Sequence, residues 1–167
     1  MSKLSLETCN PQAFGTRHSL TPLQIACKNG GTVALIPPYE KRCNGHLNIV
    51  KLILGRIGET LPKNKENFKK TDFETFNLAA FSGNLEIFQC ISTAYGHEIN
   101  PPNPYRNNDT PLHDAAWTSQ YAICEFILQN VVDKSPKNLK GKTPLNVAEM
   151  YNNDSIVDLI KSYTKKE

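Results

Sequence analysis

Four histidines and five cysteines have the widest chemical reach in this chain. His18, His46, His97 and His113 could act as bases or metal ligands, and Cys9, Cys27, Cys43, Cys90 and Cys124 as nucleophiles, ligands or disulfide partners. Their spacing gives them little to work with. His18 and His97 stand alone, without Cys, Asp or Glu at ligand spacing. No two cysteines form a Cys-x-x-Cys pair and their number is odd, so neither a zinc site nor a disulfide framework is indicated, and a reducing compartment fits best. His113 and Asp114 could pair a base with its orienting acid, yet neighbours on a helix point about 100° apart and cannot easily hydrogen-bond each other. Asn29-Gly30-Gly31-Thr32 is the nearest approach to a phosphate-cradling loop, and it lacks the spacing and the lysine. The expectation is a chain that is no enzyme, with no catalytic residue, no metal, no cofactor and no small-molecule substrate.

Composition narrows the classes further. At 167 residues, one domain with a sizeable core is the starting assumption. A hydrophobic fraction of 39% and a charged fraction of 21% are close to globular averages, so the chain should fold. A net charge of +3 is far from the strongly basic balance that phosphate neutralisation requires, so no specific nucleic acid is implied. Met1 to Cys9 has a single lysine and no apolar run of signal-peptide length, and no later segment approaches about 18 consecutive apolar residues. These features predict a soluble protein without membrane insertion, in the cytoplasm or also the nucleus. The Met start and the polar, Lys-rich end argue for a complete chain.

What would position any functional residue is an internal repeat. Thr21-Pro22-Leu23, Thr110-Pro111-Leu112 and Thr143-Pro144-Leu145 are each followed by an alanine, at Ala26, Ala115 and Ala148. A degenerate copy, Glu74-Thr75-Phe76-Asn77-Leu78-Ala79-Ala80, puts the starts at 21, 74, 110 and 143. Threonine can cap a helix, proline at its first position loses no needed hydrogen bond, and alanine lets another helix approach closely. A Gly or Asn then breaks the first helix (Gly45, Gly83, Asn152), and a second follows with apolar residues near i, i+3, i+4, such as Leu85, Phe88 and Ile91. One such pair cannot bury both its apolar faces, and stacking neighbouring pairs solves this.

Thr110-Pro111-Leu112-His113-Asp114-Ala115-Ala116 and Gly45-His46-Leu47-Asn48-Ile49-Val50-Lys51-Leu52-Ile53-Leu54 resemble the ankyrin repeat signature. The interval from 110 to 143 matches the ankyrin period of 33, and 74 to 110 gives 36. The resemblance implies an all-α repeat solenoid of helix-turn-helix units with short β-hairpin fingers. Its repeats would fill residues 17–167, with residues 1–16 as an N-terminal tail or cap. His113 and His46 would then be structural, and Cys27, Cys90 and Cys124 buried small hydrophobes. The interval from 21 to 74 is too long by a segment, and residues 31–45 look inserted between the helices of the first unit. They read as a binding loop, a tolerated surface insertion or a gene-structure error. Leu61 to Thr71 reads as a mobile Lys-rich finger, and Ser119-Gln120 in place of the usual Gly-His puts the third turn in doubt.

In ankyrin proteins the partner usually lies against the concave side and the finger tips. The position after the paired small residues carries Lys28, Phe81, Trp117 and, one residue later, Met150, with Tyr151 adjoining. These side chains form either a partner-binding stripe or part of the core. Arg17, Lys70 and Arg106 stand four residues before a repeat start, and Lys140 and Lys142 flank the last finger, giving a basic rim or merely a solvated face. Asp114 stands where leucine is commoner in the family, so it should face the groove or a cation, and there help choose the partner. The expected function is protein interaction by a monomeric adaptor, scaffold or stoichiometric inhibitor, whose partner is an acidic segment with apolar anchors. The alternatives are a regulatory ankyrin fragment of a larger enzyme or channel, and a host-directed effector.

Overall fold

The computed structural model describes residues 20–29 and 40–165, with no account of the side chains of Asn29 and 40–46. Helices α1 (Pro22–Asn29), α2 (Glu40–Ile57), α3 (Lys70–Ser82), α4 (Leu85–Ala94), α5 (Pro111–Trp117), α6 (Tyr121–Asn130), α7 (Pro144–Met150) and α8 (Asp154–Thr164) form four successive pairs. The first helices α1, α3, α5 and α7 pack on one another in one layer, and α2, α4, α6 and α8 stack behind them in a second, looser one. Alanine explains the tight layer: Ala26, Ala79, Ala80, Ala115, Ala116 and Ala148 are all buried between neighbouring helices.

Each Thr-Pro-Leu site begins a helix as its chemistry dictates. Thr21 and Gln24 cap one another, Gln24 N donating to Thr21 Oγ1 at 3.2 Å and Thr21 N to Gln24 Oε1 at 2.8 Å. Thr143 and Asn146 do the same at 3.2 and 3.1 Å. In the last three pairs the break after the first helix is a left-handed residue: Gly83 (φ 81°), Ser119 (φ 59°) and Asn152 (φ 55°). Ser119 therefore makes the turn that its sequence put in doubt, at the modest cost a small polar residue incurs there.

The structure departs from the expected layout at four places. Helix α3 begins one turn before the repeat start expected near 74: the Asp72 carboxylate accepts the N–H of Lys69 at 2.7 Å and secures the extra turn. Gly45 breaks nothing and lies inside α2, so residues 40–45 of the presumed insertion extend the second helix, while 31–39 fall outside the described residues. The fingers are turns, and among the described residues the only strand-like pairing is an isolated bridge between Asn103 and Asp109. The segment 61–71, expected to be a mobile finger, is anchored through Phe68. Its 3-10 turn Lys65–Asn67 delivers Phe68 into a ring cluster with Phe73, Phe76 and Tyr95, at centroid distances of 5.3 to 5.7 Å. Lys63 extends over the ends of two helices, donating to the carbonyls of Gly58 and Ala94. Gly96 (φ 77°) has the Lys63 carbonyl where a Cβ would stand, so the close approach requires glycine.

Candidate partner-binding surface

The C-terminal ends of α3 and α5 are anchored by the repeat that follows. Gln120 Nε2 donates to the Phe81 carbonyl at 3.3 Å, and Asn153 Nδ2 donates to the carbonyls of Ala116 and Trp117 at 2.7 and 3.0 Å. These amides satisfy orphan carbonyls at the ends of α3 and α5 and so fix where the side chains of Phe81 and Trp117 point. The two rings meet edge to face with centroids 5.7 Å apart, and Trp117 meets Tyr151 at the same distance. The three are 39%, 41% and 51% exposed, and Met150 is 61% exposed. The sequence left open whether these side chains join the core, and they do not. Lys28 is exposed at the matching place in α1.

The charges expected around the stripe are placed unevenly. Asp114 is 3% exposed and accepts from Arg106 Nη1 at 3.0 Å, Arg106 Nη2 at 3.1 Å and Asn77 Nδ2 at 2.7 Å. It found its cationic neighbour and, being buried, does not reach the groove, while Arg106 is held by it at 39% exposure. Burial pushes the Asp114 carboxyl above its ordinary range, while the Arg106 guanidinium and Asn77 pull it back. Lys70 is not in a finger: it lies in the first turn of α3, 3.7 Å from Glu74. Arg17 lies outside the described residues. Lys140 and Lys142 are exposed on the last finger, where Asn138 Oδ1 accepts both of their N–H groups, and neither carries an ion pair among the described residues.

The histidine beside this surface is engaged in structural bonds. His113 is buried and both ring nitrogens are used: the Thr110 N–H donates to Nδ1 at 3.1 Å, and Nε2 lies 3.0 Å from the Lys142 carbonyl. With Nδ1 accepting, the proton must sit on Nε2 and bond the next finger, so the neutral ring ties two repeats together. Burial holds its pKa below the ordinary 6.5. The depressed value means that the unfolded chain takes up this proton first as pH falls, so the contribution is intact above about 6.5 and is lost below it. Thermal unfolding at pH 7.5 and 5.5 should show a fall in Tm that His113→Asn makes smaller; an equal fall would detach the pH dependence from this ring.

Burial also pushes the thiols of Cys27 and Cys124 up to about 12, which makes them poor nucleophiles. Cys90, expected to be buried, is only half-buried and lines an open cleft of about 640 Å³ between α2 and α4, on the layer away from the stripe. Among the described residues no group of three or more His, Cys, Asp or Glu could hold a metal ion, and no helix is long and apolar enough to cross a membrane. The sequence reading missed the anchoring amides of Gln120 and Asn153, although their shared place after the left-handed residue was a signal. It also missed Tyr105, 56% exposed and 6.3 Å from the Phe73 ring.

Comparison with known proteins agrees with this architecture. A family profile described as "Ankyrin repeats (3 copies)" matches residues 39–138 and 76–167. An Arf-GAP with coiled-coil, ANK repeat and PH domain-containing protein 2 from Gallus gallus is 37% identical over 70 residues, 42% of this chain and 9% of that protein. A putative ankyrin repeat protein from Rickettsia bellii (strain RML369-C) is 28% identical over 97 residues, 55% of this chain and 56% of that one. The chain thus spans less than two thirds of either relative. Ankyrin repeats generally serve as non-catalytic protein-interaction modules. With four helix pairs, capped Thr-Pro-Leu starts and a matching profile over most of its length, the chain belongs to the ankyrin repeat family.

Proposed function

We propose that the stack binds another protein along the exposed side of its first-helix layer, as an adaptor, scaffold or stoichiometric inhibitor. The observation that carries this reading is the continuous ladder Phe81, Trp117, Tyr151, extended by Met150. Rings that touch one another lose little further side-chain freedom when a partner covers them, and their burial then returns the full apolar gain. Large aromatic residues in this state are the usual carriers of binding energy. The charge nearby is positive at Lys28, Lys140 and Lys142, with Arg106 neutralised by Asp114. The partner is therefore an acidic segment with a few apolar anchors, and added salt slows its association.

A second reading rests on the 9% share of the Gallus gallus relative that this chain spans. The stack would then be the interaction segment of a larger protein whose other domains do the chemistry. The same surface would serve in both cases. With a captured partner, Trp117→Ala and Phe81→Ala should each weaken the complex by about 2 kcal/mol in calorimetric titration, roughly thirty-fold in Kd. Both side chains, 39% and 41% exposed, touch neighbouring rings, so each change also lowers the urea midpoint, and affinities are compared without urea, where both variants remain folded. Unchanged affinity in both variants removes the proposed surface.

A further inference from the structure

A half-enclosed cavity of about 290 Å³ lies between the first two helix pairs. Leu23 of α1 and Ile53 and Ile57 of α2 form its apolar side, and Asp72 and Thr75 of α3 with Tyr95 after α4 form a polar corner. Asp72 stands on the extra first turn of α3, where the second repeat departs from the others. It fills the same capping place as Gln24 in α1, His113 in α5 and Asn146 in α7, and those three side chains are neutral. The cap therefore needs an acceptor but no charge. Asp72 is 8% exposed, and among the described residues no cationic side chain forms an ion pair with it, whereas the similarly buried Asp114 has Arg106. The N-terminus of α3 offsets about half an elementary charge, and the rest stands uncompensated where water is scarce.

The donors that serve this corner are already committed. Tyr95 Oη donates to Asp72 Oδ1 at 3.0 Å, the Lys69 N–H to Asp72 Oδ2 at 2.7 Å, and Thr75 Oγ1 to the Thr71 carbonyl at 2.7 Å. What these side chains can still offer is acceptors: a carboxylate has about four acceptor sites, of which two are taken, and each hydroxyl oxygen keeps lone pairs. A negatively charged corner that can only accept, set beside an apolar wall, fits a positively charged group with several N–H donors and a short apolar body. A primary ammonium meets both demands, since its three donors can exchange water for Asp72, Thr75 and Tyr95 while its body covers the isoleucines. A carboxylate or phosphate ligand would instead meet like charge. The volume is at the lower end of small-molecule sites, so the body is a single ring or a short alkyl chain.

We infer that this cavity binds a primary amine with a short apolar body, either free or carried on the lysine side chain of another protein. Asp72 is at the opposite end of α3 from Phe81, about 13 Å away along the helix axis, so the site stands independently of the aromatic ladder. Amide NMR titration of the whole chain tests it with phenethylamine, its neutral analogue 2-phenylethanol, and lysine blocked at its backbone amine and carboxyl. Phenethylamine should bind with a Kd near about 1 mM, roughly tenfold tighter than the alcohol, and shift amides of α1, the end of α2 and the first turns of α3 while those of α7 and α8 stay in place. Asp72→Asn, whose amide can still accept the Lys69 N–H, should erase the preference for the amine, and Phe81→Ala should leave it intact. Blocked lysine that binds as tightly as phenethylamine supports the site with a protein's lysine as the source; weaker binding of blocked lysine supports it with a free amine. Equal affinity for phenethylamine and the alcohol, or no saturable shift with either amine, overturns it. Should Asp72→Asn fail to fold, Ile53→Phe decides, since it fills the cavity from the apolar side: phenethylamine binding that survives this change refutes the proposal.

Discussion

Phe68→Ala lowers the unfolding free energy by about 3 kcal/mol in urea titration, with the loss appearing in the midpoint rather than the slope. Phe68 is 8% exposed and lies at the centre of the ring cluster, 5.4 Å from Phe73, 5.7 Å from Phe76 and 5.3 Å from Tyr95. Removing it takes away the apolar transfer of the ring and leaves a void whose walls are aromatic and slow to collapse. Those walls are also held by polar bonds. Tyr95 Oη donates to Asp72 Oδ1 at 3.0 Å, and Asp72 caps α3 through the Lys69 N–H, so neither side chain can move inward without giving up a bond. Burial and the neighbouring Asp72 raise the Tyr95 phenol above its ordinary range, so it remains a neutral donor at physiological pH. If the connector were the mobile finger its composition suggests, the same substitution would cost less than about 0.5 kcal/mol. A loss that small would mean that the cluster contributes nothing to holding α3 against α4.

That contrast shows which features the sequence carried locally. The starts of α1, α5 and α7 were legible because a Thr-Pro pair and a polar side chain three residues on contain the whole capping mechanism. The start of α3 was not, because its cap is a lysine backbone N–H held by Asp72, and lysine is no cap signal. Phe68 was hidden by four lysines between 63 and 70, and average polarity says nothing about where a single ring points. The turn at Ser119 depends on a φ that serine tolerates but does not advertise. For the site, the positions of Phe81, Trp117, Met150 and Tyr151 followed from the repeat period. Their exposure did not, since it is decided by how closely successive helices approach. Arg106 and Asp114 could each be singled out by type, but their pairing depends on how the Asn103 to Asp109 turn folds back over α5.

Asp114→Leu restores the residue commoner in the family and should nevertheless destabilise the chain, by about 2 to 3 kcal/mol. The carboxylate is the hub of a network that crosses three elements. It accepts from Arg106 of the finger and from Asn77 of α3, and Asn77 Oδ1 in turn accepts from Asn103 Nδ2 at 2.8 Å. Asn77 and Asn103 are both buried, so a leucine leaves the Asn77 amide without an acceptor in a place water does not reach. Arg106 is 39% exposed and can turn to solvent, which keeps the loss below that of a fully buried pair. A cycle of Asp114→Leu, Arg106→Met and the double variant separates the parts. If the pair itself matters, the two changes are coupled and the double costs less than their sum; strict additivity would leave only the stranded Asn77 as the cause. The loss should also be local. Amides of Asn103, Asn108 and Asp109, whose bonds close the finger turn, should exchange faster while those of α8 keep their protection. Because Arg106 then leaves its fixed place at the rim, partner association should change its salt dependence even where Trp117 and Phe81 are intact.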